Sequence, residues 1–134
     1  MFLTSLEVRE IGWKGGRVIW ELTSPLIYKS AKHGLIAIPT KMQTDFCSVP
    51  RHPSFVFGLC GAKFNRTGTL HDYACRINSV PVFTQEEADA LFLESSGYCW
   101  PGETEWLERE AMYEALVLFG KEHFHKLYVE DKLT

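Results

Sequence analysis

From residue 6 to residue 39 the chain reads as short runs in which apolar and polar positions alternate or β-branched residues cluster. From residue 84 onward apolar residues recur every three or four positions. The first pattern is that of strands and the second that of amphipathic helices. Residues 6–11 (LEVREI) alternate, Gly15-Gly16 supplies a turn, and residues 17–22 (RVIWEL) follow as a β-branched and aromatic run. These two segments are expected to pair as a hairpin. Pro25 interrupts the pattern, residues 26–29 open a third strand, and residues 34–39 form a fourth that a proline closes. Residues 40–57 hold two prolines and no clear period, which predicts an ordered loop.

The second half predicts helices. Thr67 or Thr69 is expected to cap a helix over residues 70–77, and Pro81 ends that segment. Thr84 and Glu87 have the spacing of a capping box, with a helix through Ala88, Leu91 and Phe92 that stops near Gly97. Trp100-Pro101-Gly102 is a break, and Trp106, Tyr113, Leu116 and Val117 mark a long helix over residues 104–119. The tail, with His123 and His125, is expected to continue helically as a solvated surface. The expected architecture is α+β: an N-terminal antiparallel β-sheet of about four strands, packed against three C-terminal helices in a single domain over residues 1–134.

Composition narrows the function classes. The 134 residues are 46% hydrophobic and 13% aromatic, enough for a core without disulfides or metal. A formal net charge of -3 and a sequence pI of about 5.9 lack the basic footprint of a nucleic-acid binder. No apolar run approaches the ~20 residues of a membrane span, and residues 1–7 lack the features of a signal peptide. Cys47, Cys60, Cys75 and Cys99 form no CxxC pair and are expected to be reduced thiols packed as small apolar groups.

Two polar strings carry the candidate chemistry: Gln43-Thr44-Asp45-Phe46-Cys47-Ser48-Val49-Pro50-Arg51 and Leu70-His71-Asp72-Tyr73-Ala74-Cys75-Arg76. Polar groups set between apolar ones need partners, so the strings are expected to share one polar centre. Adjacent on a helix, His71 and Asp72 point about 100° apart and cannot pair. Asp72 and Arg76, four apart, can. Asp89, near the start of the next helix, is the expected partner of His71. A carboxylate holding one imidazole nitrogen leaves the other as a general base. Asp45 and Asp72 are candidate ligands for Mg or Ca, whose preference is for oxygen. Ser48, Arg51 and Arg76 are candidate binding residues. Each has a structural alternative: a buried polar knot at His71-Asp72, an Asx-type turn in which Asp45 accepts backbone N–H groups, and ion pairing for the arginines.

The strings resemble the phage-associated domain of unknown function 1353 family. The matching residues are Ile38-Pro39, then Thr44-Asp45-Phe46-Cys47-Ser48-Val49-Pro50, then His71-Asp72-Tyr73, then Ala88-Asp89-Ala90-Leu91-Phe92. The family's Gly-Phe before Thr-Asp is Lys41-Met42 here, its Ala is Cys47, and its Leu-Tyr after His-Asp-Tyr is Ala74-Cys75. The resemblance implies a phage or prophage origin, hence residence in the host cytoplasm or the virion, and no established activity. The His-Asp string is also similar in geometry to that of secreted calcium-dependent phospholipases, without their glycine-rich calcium loop or disulfides.

Two functions follow. One is a phage accessory protein that acts by binding a phage or host protein, as a virion or tail component or as an inhibitor of a host system. The other is a small hydrolase with His71 as base, Asp89 as its orienter, and a divalent metal or substrate at Asp45 and Asp72.

Overall fold

The computed structural model describes residues 1–46 and 65–99, together with helical positions Glu110, Tyr113, Glu114 and Val117. The α+β class is borne out: five strands precede two helices of defined extent. The strands are β1 (Val8–Lys14), β2 (Arg17–Leu22), β3 (Leu26–Ser30), β4 (Gly34–Ile38) and β5 (Gln43–Thr44). The helices are α1 (Asn65–Ala74) and α2 (Gln85–Cys99). The expected third helix falls mostly outside the described residues, as does the tail with His123 and His125.

The strands form two antiparallel sheets rather than the expected single one: β1-β2-β5 and β3-β4. The β1–β2 hairpin turns through Gly15 and Gly16, with φ of 60° and 76°, between paired Lys14 and Arg17. Glycine meets this requirement because two consecutive positive φ values strain any residue with a Cβ. An irregularity between Glu10 and Gly12 shifts the register, which ends the simple alternation read from residues 6–11. The division between sheets comes at Thr23-Ser24-Pro25. Pro25 cannot donate to a ladder, and Thr23 N–H and the Ser24 hydroxyl turn to Glu7 instead. The N-terminal segment then lies along β3, with Leu3 N–H on the Ile27 carbonyl and Lys29 N–H on the Met1 carbonyl.

Alternation places Leu26, Tyr28 and Ser30 of β3 and Ile36 and Ile38 of β4 on the buried face. Leu26, Tyr28, Ile36 and Ile38 join Leu22, Met42, Leu70, Tyr73, Ala74, Phe83, Ala88 and Leu91 in one core cluster. The sheet is tied to α2 by Glu94, which accepts from the Tyr28 hydroxyl at 3.0 Å and from Ala31 N–H at 3.0 Å. The capping box forms as read: Thr84 N–H donates to Glu87 at 3.0 Å and Glu87 N–H to the Thr84 hydroxyl at 3.1 Å. Hydrogen bonds to the Glu87 carboxyl from the Thr84 backbone and then from the Thr84 side chain hold it below its usual pKa. α2 runs past Gly97 to Cys99.

α1 begins earlier and ends sooner than expected. Thr67 and Thr69 lie inside it and cap nothing. The Thr69 hydroxyl bonds back to the Asn65 carbonyl at 2.7 Å, while the Thr67 hydroxyl crosses to the Phe92 carbonyl at 3.2 Å and meets the Ser95 hydroxyl. The helix closes in turns from Arg76 N–H to the Tyr73 carbonyl and from Ser79 N–H to the Arg76 carbonyl. Tyr73 braces the following segment by accepting from Val80 N–H at 2.9 Å.

At Gly68 the backbone of Phe46 passes close against α1, and a Cβ there would overlap the Phe46 carbonyl. Helix propensity favours alanine over glycine by about 1 kcal/mol, but the obstacle is backbone and the steric term wins. Gly68→Ala is expected to destabilise the protein by about 2 kcal/mol or more, read as a lower urea midpoint. An unchanged midpoint would show that the loop does not lie against the helix.

Candidate functional site

The polar residues of the two strings converge where α1 meets α2 and the 43–46 segment. The period of α1 sets what each can reach. His71 and Asp72 occupy adjacent positions and face different neighbours, as helix geometry requires. His71 turns to α2, where its Nε2 lies 2.9 Å from Asp89 Oδ1. Asp72 turns to the loop and accepts from the Thr44 hydroxyl at 2.8 Å. Arg76, one turn beyond Asp72, donates to the Gln43 carbonyl at 2.7 Å.

The imidazole and its carboxylate are interior groups: His71 is 5% exposed and Asp89 3%. The edge of Phe92 packs against the ring, with centroids 5.7 Å apart. The Cys75 sulfur lies 3.6 Å from Nε2 and 3.7 Å from Nδ1, across the ring rather than along a single N–H. Burial by itself lowers the His71 pKa. The charge of the Cys75 sulfur and the hydrogen bond and charge of Asp89 outweigh it, raising the value from 6.5 to about 10. His71 is therefore an imidazolium at neutral pH, donating from Nε2 to Asp89.

Thr44 is the residue that the sequence reading missed. An Asx-type turn through Asp45 was one reading of this bend; beside it, Phe46 N–H donates to the Thr44 hydroxyl at 2.9 Å. That hydroxyl in turn donates to Asp72, so one buried threonine both closes the turn and joins it to α1. The signal was present: the β-branched residue sits on the strand and its hydroxyl is adjacent to a bend. Phe46 has φ of 69°, and its ring stacks on Trp20 at 5.4 Å. Asp45 is half-buried in the bend between them. Ser48 and Arg51 lie outside the described residues.

The arrangement brings together His71, Asp89, Asp72, Thr44 and the Arg76 guanidinium, each directed at another protein group. Asp45 and Asp72 were candidate Mg or Ca ligands. Among the described residues, no three His, Cys, Asp or Glu side chains cluster to hold a metal ion. The chemistry this geometry favours is cross-linking of helix, helix and loop through charge-assisted hydrogen bonds.

Three outcomes test that reading. A His71 pKa raised from 6.5 to about 10 means stabilisation that is complete below the lower value and lost as pH rises through the upper one. The melting temperature should fall as pH rises across that interval, and His71→Gln should flatten the slope. Asp89→Asn leaves a buried imidazolium short of its counter-charge and should cost about 3–5 kcal/mol at neutral pH, measured by urea denaturation. At the loop, Thr44→Val removes a donor from Asp72 and the acceptor from Phe46 N–H. The expected loss is about 2–3 kcal/mol, largely restored in Thr44→Ser. Equal stability of the valine and serine variants would remove Thr44 from the network.

Among the described residues no helix is long and apolar enough to cross a membrane. No curated protein and no solved structure matches the chain. A family model described as "Protein of unknown function (DUF1353)" matches residues 20–116, a span that runs from within β2 through β5 and includes both helices and every residue of the polar seam. The chain belongs to the DUF1353 family.

Proposed function

We propose that this protein acts by binding, as an accessory protein of a phage or prophage, in the virion or the host cytoplasm, with a phage or host protein as its partner. The observation that carries this reading is the enclosure of the His71–Asp89 pair, whose residues are 5% and 3% exposed. A general base must reach the proton it abstracts and must be unprotonated at working pH. An interior imidazolium already donating to a carboxylate meets neither condition. Its chemistry is that of a fastener, which leaves the surface to carry the function. There the chain presents Ile77, Val80 and Val82 as exposed apolar residues around the turn braced by Tyr73. Exposed apolar side chains grouped on one part of a surface mark protein interaction sites.

A second reading, a small hydrolase, draws on one observation. His71 engages Asp89 through Nε2, and among the described residues the sulfur of Cys75 is what Nδ1 faces. An incoming water at Nδ1 would give the base-and-orienter arrangement of the phospholipase comparison, with Asp72 or Asp45 near the substrate.

The two separate on a single assay. Purified protein is incubated with anionic phospholipid vesicles in millimolar Ca or Mg, beside a His71→Gln variant whose fold is verified by circular dichroism. The binding reading expects no release of fatty acid from either. Release by the parent protein that disappears in the folded variant would overturn it in favour of the hydrolase.

A further inference from the structure

Cys75 takes no part in the binding reading, yet it stands in a distinctive place. It is the first residue beyond α1, four positions after His71, so the two side chains share one face of the helix. It is a free thiol and half-buried, whereas His71 and Asp89 are interior. Sulfur, imidazole and carboxylate thus form a graded line from the surface inward: Sγ at 3.6–3.7 Å from the ring nitrogens, then Nε2 at 2.9 Å from Asp89 Oδ1. A partly exposed sulfur beside an imidazolium that a carboxylate holds in place is an environment that favours the thiolate.

We propose that Cys75 is a nucleophilic thiol, served by His71 and held in register by Asp89, that exchanges with low-molecular-weight disulfides. The ring is immobilised twice, by the carboxylate at Nε2 and by the Phe92 edge, so it presents a fixed charge to the sulfur. His71 already carries its proton, so the thiol proton goes to solvent and the imidazolium stays beside the sulfur. The sulfur's charge is one of the causes that raise the proton affinity of His71. In the exchange, the Cys75 thiolate attacks one sulfur of the disulfide. A new bond forms between Sγ and that sulfur, and the original S–S bond breaks. The electron pair leaves with the second sulfur, which departs as a thiolate and takes a proton from water. The Cys75 sulfur is oxidised and the departing sulfur reduced. The product is a mixed disulfide at the surface end of the line.

The test uses the intact protein and 2-hydroxyethyl disulfide, a small neutral probe, at pH 6.5. An ordinary thiol is only about 1% thiolate at that pH. A sulfur 3.6–3.7 Å from an imidazolium should react faster at this pH than free glutathione, by about fivefold. Peptide mapping by mass spectrometry assigns the adduct to Cys75. A Cys75 rate equal to or below that of glutathione, in protein shown to be folded, overturns the proposal without recourse to a variant. Asp89→Asn, checked for fold by circular dichroism, separates the positioning role from simple exposure. A several-fold slower rate at Cys75 supports it, and an unchanged rate in folded variant protein removes Asp89 and His71 from the site.

Discussion

The ion pair between His71 and Asp89 is the contact on which the helical half of this protein depends. Each charge is costly to bury alone, and the partner at 2.9 Å makes both tolerable. The requirement is mutual and geometric. α1 and α2 can pack with these residues inside only when the imidazole and the carboxylate meet. A slip of either helix by one residue would leave a bare charge in the core, an error much larger than the loss of a few apolar contacts. Thr67, Ser95 and the Phe92 carbonyl reinforce the same seam with neutral hydrogen bonds.

The second constraint is the close passage of the loop over α1. Gly68 lets the Phe46 carbonyl approach the helix, and Thr44 turns that proximity into a fixed register by bonding Phe46 N–H and Asp72 at once. β5 is two residues long and could not hold its place by pairing alone. Arg76 on the Gln43 carbonyl anchors the adjoining residue of the same strand. The polar strings therefore serve the fold first. They join three pieces of chain that are far apart in sequence, and they keep the thiol of Cys75 beside a charged ring.

Much of this was readable in advance where the governing interaction is local. The Gly15-Gly16 turn, the alternation of β3 and β4, and the Thr84–Glu87 box each depend on residues within a few positions of one another. The partnership of His71 with Asp89 was also foreseeable, because helix periodicity bars His71 from Asp72 and leaves a nearby acid on the next helix. Thr67 and Thr69 misled, since a hydroxyl that caps a helix looks the same in sequence as one that bonds across it. Asp45 drew attention from Thr44 for a similar reason: the carboxylate is the stronger acceptor, but the threonine is the residue that β5 points inward.

Residue order alone established the α+β class, the Gly15-Gly16 turn, the capped second helix and the expected meeting of His71 with Asp89, because periodicity and short-range sterics act along the chain. Tertiary structure decided that the strands divide into two sheets, that a glycine admits the loop, and that the imidazole is sealed in the interior with its charge retained. Those outcomes rest on distances between segments tens of residues apart. Burial and charge pairing have no value until the chain has closed on itself, and they then determine which polar residues fasten the fold and which remain able to react.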